Sequence, residues 1–255
     1  MAILNFKMSE NFSNNNLPTL ELFVPILNEE DELEVNITRL LTHFKSLFNI
    51  SISSLSKVVV VDNGSTDNSV AIMLKLLPLN PSLGLVTTSV RGKGHAVKIG
   101  FLQSEADLVG FVDLDLSPDI TRIASFVDEI VKNKYDYVIA SRYMPGSIVS
   151  RGWLRSFTSR VYRLIFKYYL GLRVSDANCG LKIGKREELN LAFTNVESKG
   201  WFFDVELLHY VMKNRLAVKE MPITWVDDDD SRVKILRATL ETLDLIIKFK
   251  KRITK

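Results

Sequence analysis

The sequence predicts an α/β fold, a mostly parallel sheet flanked by helices. Two observations carry this. Short apolar runs of strand length recur along the chain, separated by stretches of roughly 10 to 20 residues with helical character. Polar residues then stand where those runs end, at Asn28, Asp62, Asp113 and Asp115. In open parallel sheets ligands gather at the carboxyl ends of the strands, so these positions form one constellation. No internal repeat or linker divides the chain, which reads as one domain with a C-terminal extension.

The elements follow in order. Residues 1–17 read as a flexible lead. Leu20 to Ile26, with Pro25 near its end, is a first strand. Asn28-Glu29-Glu30-Asp31-Glu32 opens a helix with acids in its first turn, as the helix dipole favours. Val58 to Val61 is a buried strand that breaks at Asp62-Asn63-Gly64, with Ser65 or Thr66 able to cap the next helix. Leu83 to Val90 is a third strand, followed by a helix start punctuated by glycines. Leu108 to Val112 is a fourth, Pro118 suits the first turn of the helix after it, and Tyr135 to Ala140 is a fifth. Ser175 to Lys182 reads as a polar loop between helical stretches.

Bulk properties exclude several classes. The 255 residues are 46% apolar and 25% charged, ordinary for a globular protein. Cys179 is the sole cysteine, which rules out an internal disulfide framework and fits a reducing compartment. A net charge of +3 with no basic stripe interleaved with aromatics gives no reason to expect nucleic acid. No run is long and apolar enough to cross a bilayer, and the first residues lack the order of a signal peptide.

Three stretches carry chemistry: Val60 to Asp67, Arg91-Gly92-Lys93-Gly94-His95-Ala96, and Phe111-Val112-Asp113-Leu114-Asp115. Asp113 and Asp115, emerging from a buried strand, suit a hard divalent cation, Mg²⁺ or Mn²⁺, held against a phosphate-bearing ligand. Asp62 serves either to accept hydrogen bonds from a base or ribose, or to close an Asx-type turn. Lys93 serves either to approach phosphate beside a helix N-terminus or as a solvated turn lysine. Arg142 serves a phosphate or a salt bridge. Asp176 is a candidate to orient an acceptor or act as base. Asp204 and Glu206 lie in an apolar segment, where acids are costly unless paired or functional.

Taken in order, Pro25-Ile26-Leu27-Asn28-Glu29, the Asp62 turn, Arg91 to Gly94, the aspartate pair, Ser141-Arg142, Asp176 to Lys182 and Phe203-Asp204-Val205-Glu206 resemble family 2 glycosyltransferases of the GT-A, Rossmann-like fold. More narrowly, they are similar to polyprenyl- and dolichyl-phosphate hexosyltransferases over roughly residues 18 to 240. The resemblance implies inverting, metal-dependent transfer of glucose or mannose from a UDP- or GDP-hexose to polyprenyl phosphate. It implies that Pro25, Asn28, Glu29 and Asp62 cradle the nucleoside, with Lys93 near the phosphates. Asp113 and Asp115 would hold metal and diphosphate, while Arg142, Arg232 and Lys234 meet the acceptor phosphate. Asp176 and Asp204 join the catalytic set. Residues 18–230 then form the catalytic domain and 231–255 a basic amphipathic helix. Two departures stand out: Asn63 replaces the second aspartate of many relatives, and an acidic run, Asp227 to Asp230, precedes Ser231-Arg232. The Arg91 to Gly94 and Trp201 to Leu208 stretches look closer to the glucose branch.

A lipid acceptor requires contact with a membrane surface. Arg160, Arg163 and Lys167 share one helical face near Val161, Leu164, Ile165 and Tyr168. Leu236, Leu240, Leu243, Ile246 and Ile247 form a stripe beside the terminal lysines. Either stripe lies in the headgroup region or packs on the domain. The basic end also suits a cytoplasmic flank before a transmembrane segment. The expected location is cytoplasmic, peripheral to the membrane. Two other readings share the donor site: transfer to a sugar hydroxyl, which needs a general base, and nucleotide-sugar binding without transfer.

Overall fold

The computed structural model describes residues 17–150, 153–226 and 235–254. The 1–16 part of the expected lead, the acidic run, Arg232 and Lys234 lie outside the described residues.

Nine strands and eight α-helices alternate among the described residues. The strands are β1 (Leu20–Ile26), β2 (Lys57–Asp62), β3 (Leu83–Thr87), β4 (Leu108–Val112), β5 (Tyr137–Ser141), β6 (Ile148–Ser150), β7 (Leu181–Lys185), β8 (Val218–Pro222) and β9 (Thr224–Val226). The helices are α1 (Leu33–Ser46), α2 (Ser69–Leu76), α3 (Lys93–Gln103), α4 (Ile123–Val131), α5 (Trp153–Tyr169), α6 (Arg186–Asn195), α7 (Phe203–Lys213) and α8 (Ile235–Ile253). Seven strands form one sheet in the order β3-β2-β1-β4-β7-β5-β8, while β6 and β9 pair separately. All pairings in the large sheet are parallel except those of β7, which runs antiparallel between β4 and β5.

Alternation along the strands divides the core into two layers. In β1, Leu22, Val24 and Ile26 face a layer built with Ile37, Leu40 and Phe44 of α1 and Phe126 and Ile130 of α4. Phe23 faces the other way, toward Ala96 and Phe101 of α3, Phe193 of α6 and Phe203 and Leu207 of α7. Each fully buried side chain of this size contributes about 1.5–3 kcal/mol. Pro25 sits past the last β1–β4 register pair, Phe23 with Phe111, where a central strand tolerates a residue without an N–H.

Several expectations are corrected. The Ser175–Lys182 stretch is not wholly loop: its last two residues begin β7. The helix expected from Asn28 begins at Leu33, because Asn28 adopts φ 57° and turns the chain. Neither Ser65 nor Thr66 caps α2. Asn68 stands at its start, and the Asp67 carboxylate accepts from the Ser69 N–H at 3.0 Å. Pro118 does not open a helix; it bridges to Trp225, and Asp119 caps a short 3-10 turn before α4. The third strand stops at Thr87 and the fifth starts at Tyr137.

Candidate active site

The carboxyl ends of β1, β2 and β4 meet in one corner. Asn28 ties the first two loops together: its N–H donates to Ser65 Oγ at 2.9 Å, and its Oδ1 accepts from the Thr66 N–H at 2.7 Å. The Glu29 N–H donates to Ser69 Oγ. Asp62 closes an Asx-type turn, accepting from the Gly64 and Ser65 N–H groups at 3.3 and 3.1 Å. Asn63 is a link missed from sequence. Its Nδ2 donates to the Ile26 carbonyl and its Oδ1 accepts from the Gly92 N–H at 2.9 Å. An aspartate could not donate to that carbonyl, which accounts for the asparagine here.

Asp113 and Asp115 follow β4 as the pattern predicts. Lys93, first residue of α3, is not a solvated lysine. Its Nζ lies 2.7 Å from Asp113 Oδ1 and 3.8 Å from Asp204 Oδ2. The ammonium also stands 4.6 Å from the centre of the Trp201 ring. Burial opposes its charge, yet the carboxylates of Asp113 and Asp204 raise its pKa above the usual lysine value. Asp204 pairs with Lys182 on β7 at 2.5 Å, and Lys182 also donates to the Cys179 carbonyl. Lys182 and Asp204 are sealed from solvent, so the floor of the site is a buried chain of alternating charges. Lys182 was missed as a site residue because a lysine amid glycines reads as loop.

Asp115 stands at the mouth of the site. Desolvation by the surrounding chain, and then the charge of Asp113, push its carboxyl above the usual carboxylate range, although it accepts from the Ser117 N–H. It borders a concavity of about 630 Å³ that Asp31, Arg39, Asp119 and Thr224 also line. Among the described residues no cluster of three or more His, Cys, Asp or Glu side chains is arranged to hold a metal. Asp113 with Asp115, the latter on that concavity, instead suits Mg²⁺ or Mn²⁺ bound jointly with ligand phosphates.

Arg142 takes the salt-bridge alternative. It grips Asp176 with Nε–Oδ2 at 2.7 Å and NH2–Oδ1 at 2.9 Å, and its guanidinium lies 4.6 Å from the centre of the Trp225 ring. Burial works against the charge of Asp176, but Arg142 holds its carboxyl below the usual range. Glu220, also missed from sequence, accepts from the Ser175 N–H and hydroxyl and so fixes the loop that carries Asp176. Asp176 is therefore held in a buried ion pair on an anchored loop. Burial pushes the Cys179 thiol up to about 12.

The two basic helices approach each other at one point, where Lys250 Nζ lies 5.5 Å from the centre of the Tyr169 ring. On α5, Val161, Leu164 and Tyr168 are exposed beside Arg160 and Lys167, whereas Phe166 is buried. On α8, Leu243 and Ile247 are exposed, but Ile246 and Phe249 pack into the domain. The expected stripe is thus split between two faces; the side chains of Leu236 and Leu240 lie outside those described. No described helix is long and apolar enough to cross a membrane.

Known proteins share this fold and parts of this sequence. The chain is 26% identical to the dolichyl-phosphate beta-glucosyltransferase of Saccharomyces cerevisiae over 249 residues, covering 89% of this chain and 73% of that protein. It is 27% identical over 185 residues to glycosyltransferase AglD of Haloferax volcanii, spanning 72% of this chain but 30% of that protein. The fold matches glucosyl-3-phosphoglycerate synthase from Mycobacterium tuberculosis, solved with Mn²⁺ and UDP-glucose, at a TM-score of 0.68 and 18% identity, covering 91% of this chain and 79% of that one. Residues 21–190 match the family model for glycosyl transferase family 2, so the chain is a glycosyltransferase that belongs to this family.

Proposed function

We propose that this glycosyltransferase moves a hexose, glucose in preference to mannose, with inversion from a nucleoside diphosphate sugar to polyprenyl or dolichyl phosphate. The observation that carries the proposal is the aspartate pair at the end of β4, with Lys93 paired to Asp113 and Asp115 bordering an open concavity. The relatives named for dolichyl phosphate support the acceptor and the sugar. Residues 18–230 serve as the catalytic domain and 231–255 as its basic helix.

Pro25, Asn28, Glu29 and Asp62 shape the nucleoside end, where the loops after β1 and β2 are tied to each other. Asp113 and Asp115 would hold Mg²⁺ or Mn²⁺, which when bound offsets the charge developing on the leaving diphosphate. Lys93 supplies a fixed cation beside the same diphosphate. Arg142 would receive the acceptor phosphate. Asp176 takes two of its roughly five side-chain N–H donors and so fixes the guanidinium in place. Arg232 and Lys234 add to that site.

Transfer to a sugar hydroxyl fits less well. Such an acceptor needs a general base, and both candidates are engaged, Asp176 by Arg142 and Asp204 by Lys182. A phosphate is already an anion and requires only positioning and leaving-group stabilisation. The exposed apolar and basic faces of α5 and α8 would bring the enzyme to the cytoplasmic surface of the membrane that holds the lipid.

Titration of UDP and GDP, each with and without Mg²⁺, tests the donor site. Metal-dependent binding of UDP that Asp115→Asn abolishes is the expected result; binding of neither nucleotide overturns the proposal.

A further inference from the structure

We infer that Arg252 on α8 is a positioning residue for the donor-facing turn at residues 91–95, acting through Glu206 and the loop at 196–201. This rests on the proposed role of that turn in donor binding. The path can be followed contact by contact. Arg252 NH2 lies 3.0 Å from Glu206 Oε2, and its other amino group pairs with Glu197. Glu206, buried in the first part of α7, accepts from the N–H groups of Glu197 and Ser198 at 2.9 and 3.1 Å, and from the Ser198 hydroxyl at 2.7 Å. One carboxylate therefore clamps the loop from below while Arg252 neutralises it.

The clamped loop is pressed against the turn. Its Lys199 carbonyl accepts from the His95 N–H at 3.0 Å. Gly92, at φ 133°, approaches so closely that an added Cβ would stand 2.2 Å from that carbonyl oxygen. The loop ends at Trp201, whose ring faces the Lys93 ammonium. Movement of the loop by even 1 Å would thus displace Lys93 and the backbone around it. Phe249, one turn before Arg252, is buried against Phe202, His209 and Tyr210, which fixes α8 at the point of contact. Whatever shifts α8 shifts the turn, so the helix with the exposed apolar and basic face is mechanically tied to the donor site.

Amide hydrogen exchange and UDP titration with Mg²⁺ on the full chain test this. Arg252→Ala is expected to speed exchange in the 196–201 segment and to weaken UDP binding, each by about fivefold for a half-exposed ion pair. Arg252→Lys should restore part of both. Lys248→Ala, which removes an exposed pair with Asp244 on the same helix, should change neither. Unchanged exchange in the 196–201 segment overturns the inference, as does a uniform rise that includes the β1 and β2 amides. If Arg252→Ala does not fold, Arg252→Lys carries the same two readings, with an intermediate effect expected and wild-type exchange overturning the inference. Exchange does not depend on nucleotide. If the wild type binds no UDP, the donor proposal fails, and the exchange arm still decides whether Arg252 controls the loop.

Discussion

The Lys93 ammonium is 2.7 Å from Asp113 Oδ1, so the cation nearest the aspartate pair comes from the glycine-flanked turn at the start of α3. Lys93→Met removes that cation while keeping an apolar stem of similar volume. Loss of a fixed charge beside the leaving group is expected to lower kcat/KM on the order of 100-fold. Steady-state kinetics with the donor checks this, and wild-type kcat/KM would show that Lys93 only stabilises the fold.

Lys182 and Asp204 are both sealed from solvent beneath the site. Asp204→Asn leaves the Lys182 charge buried without its partner and Lys182→Met leaves Asp204 with only Lys93 at 3.8 Å, so each alone should cost about 3–5 kcal/mol of stability. Lys182→Met combined with Asp204→Asn should cost clearly less than the sum. Denaturant unfolding measures all three; strictly additive losses would contradict the coupling.

Asp176 gives the chain an acid-sensitive element. Arg142 holds its folded pKa below the unfolded value of about 3.9. The unfolded state therefore binds the proton first, and stability rises with pH across that window. The contribution is complete above the unfolded value and drains as pH falls through the folded one. Asp176→Asn should be less stable near neutrality and should lose stability less steeply in acid. Parallel acid-unfolding curves for the two proteins would remove Asp176 as the source.

Gly180 touches the aspartate pair from β7's entry. A Cβ there would meet Asp113 Oδ2 at 2.2 Å and force the carboxylate aside. A displacement of that size in a reacting constellation costs on the order of 100-fold in turnover, so Gly180→Ala should fold yet lose most activity. Full activity in that variant would mean that Asp113 need not hold its present position.

The parts of the fold legible in the sequence are those with uninterrupted apolar runs. β1, β2 and β4 announce themselves, and the polar residues at their ends come together as their placement predicts. β7 was hidden because Cys179-Gly180-Leu181-Lys182-Ile183-Gly184-Lys185 mixes glycine and lysine into a central strand. Its glycines are required by close approach: a Cβ on Gly184 would stand 2.6 Å from Tyr137. Lys182 is allowed there only because Asp204 arrives from a distant helix, a pairing that no local pattern reveals. Arg142 and Asp176 were each legible as candidates, but their bidentate bond, which joins positions 34 apart, was not.

Hexose transfer to a lipid phosphate is the proposed reaction. The most direct measurement is product formation from labelled UDP- and GDP-hexoses with polyprenyl phosphate in detergent, with and without a chelator. A chelator-sensitive glycolipid carrying one sugar, formed best from UDP-glucose, is the predicted result. Donor hydrolysis or transfer to a glycan hydroxyl without that glycolipid would contradict it.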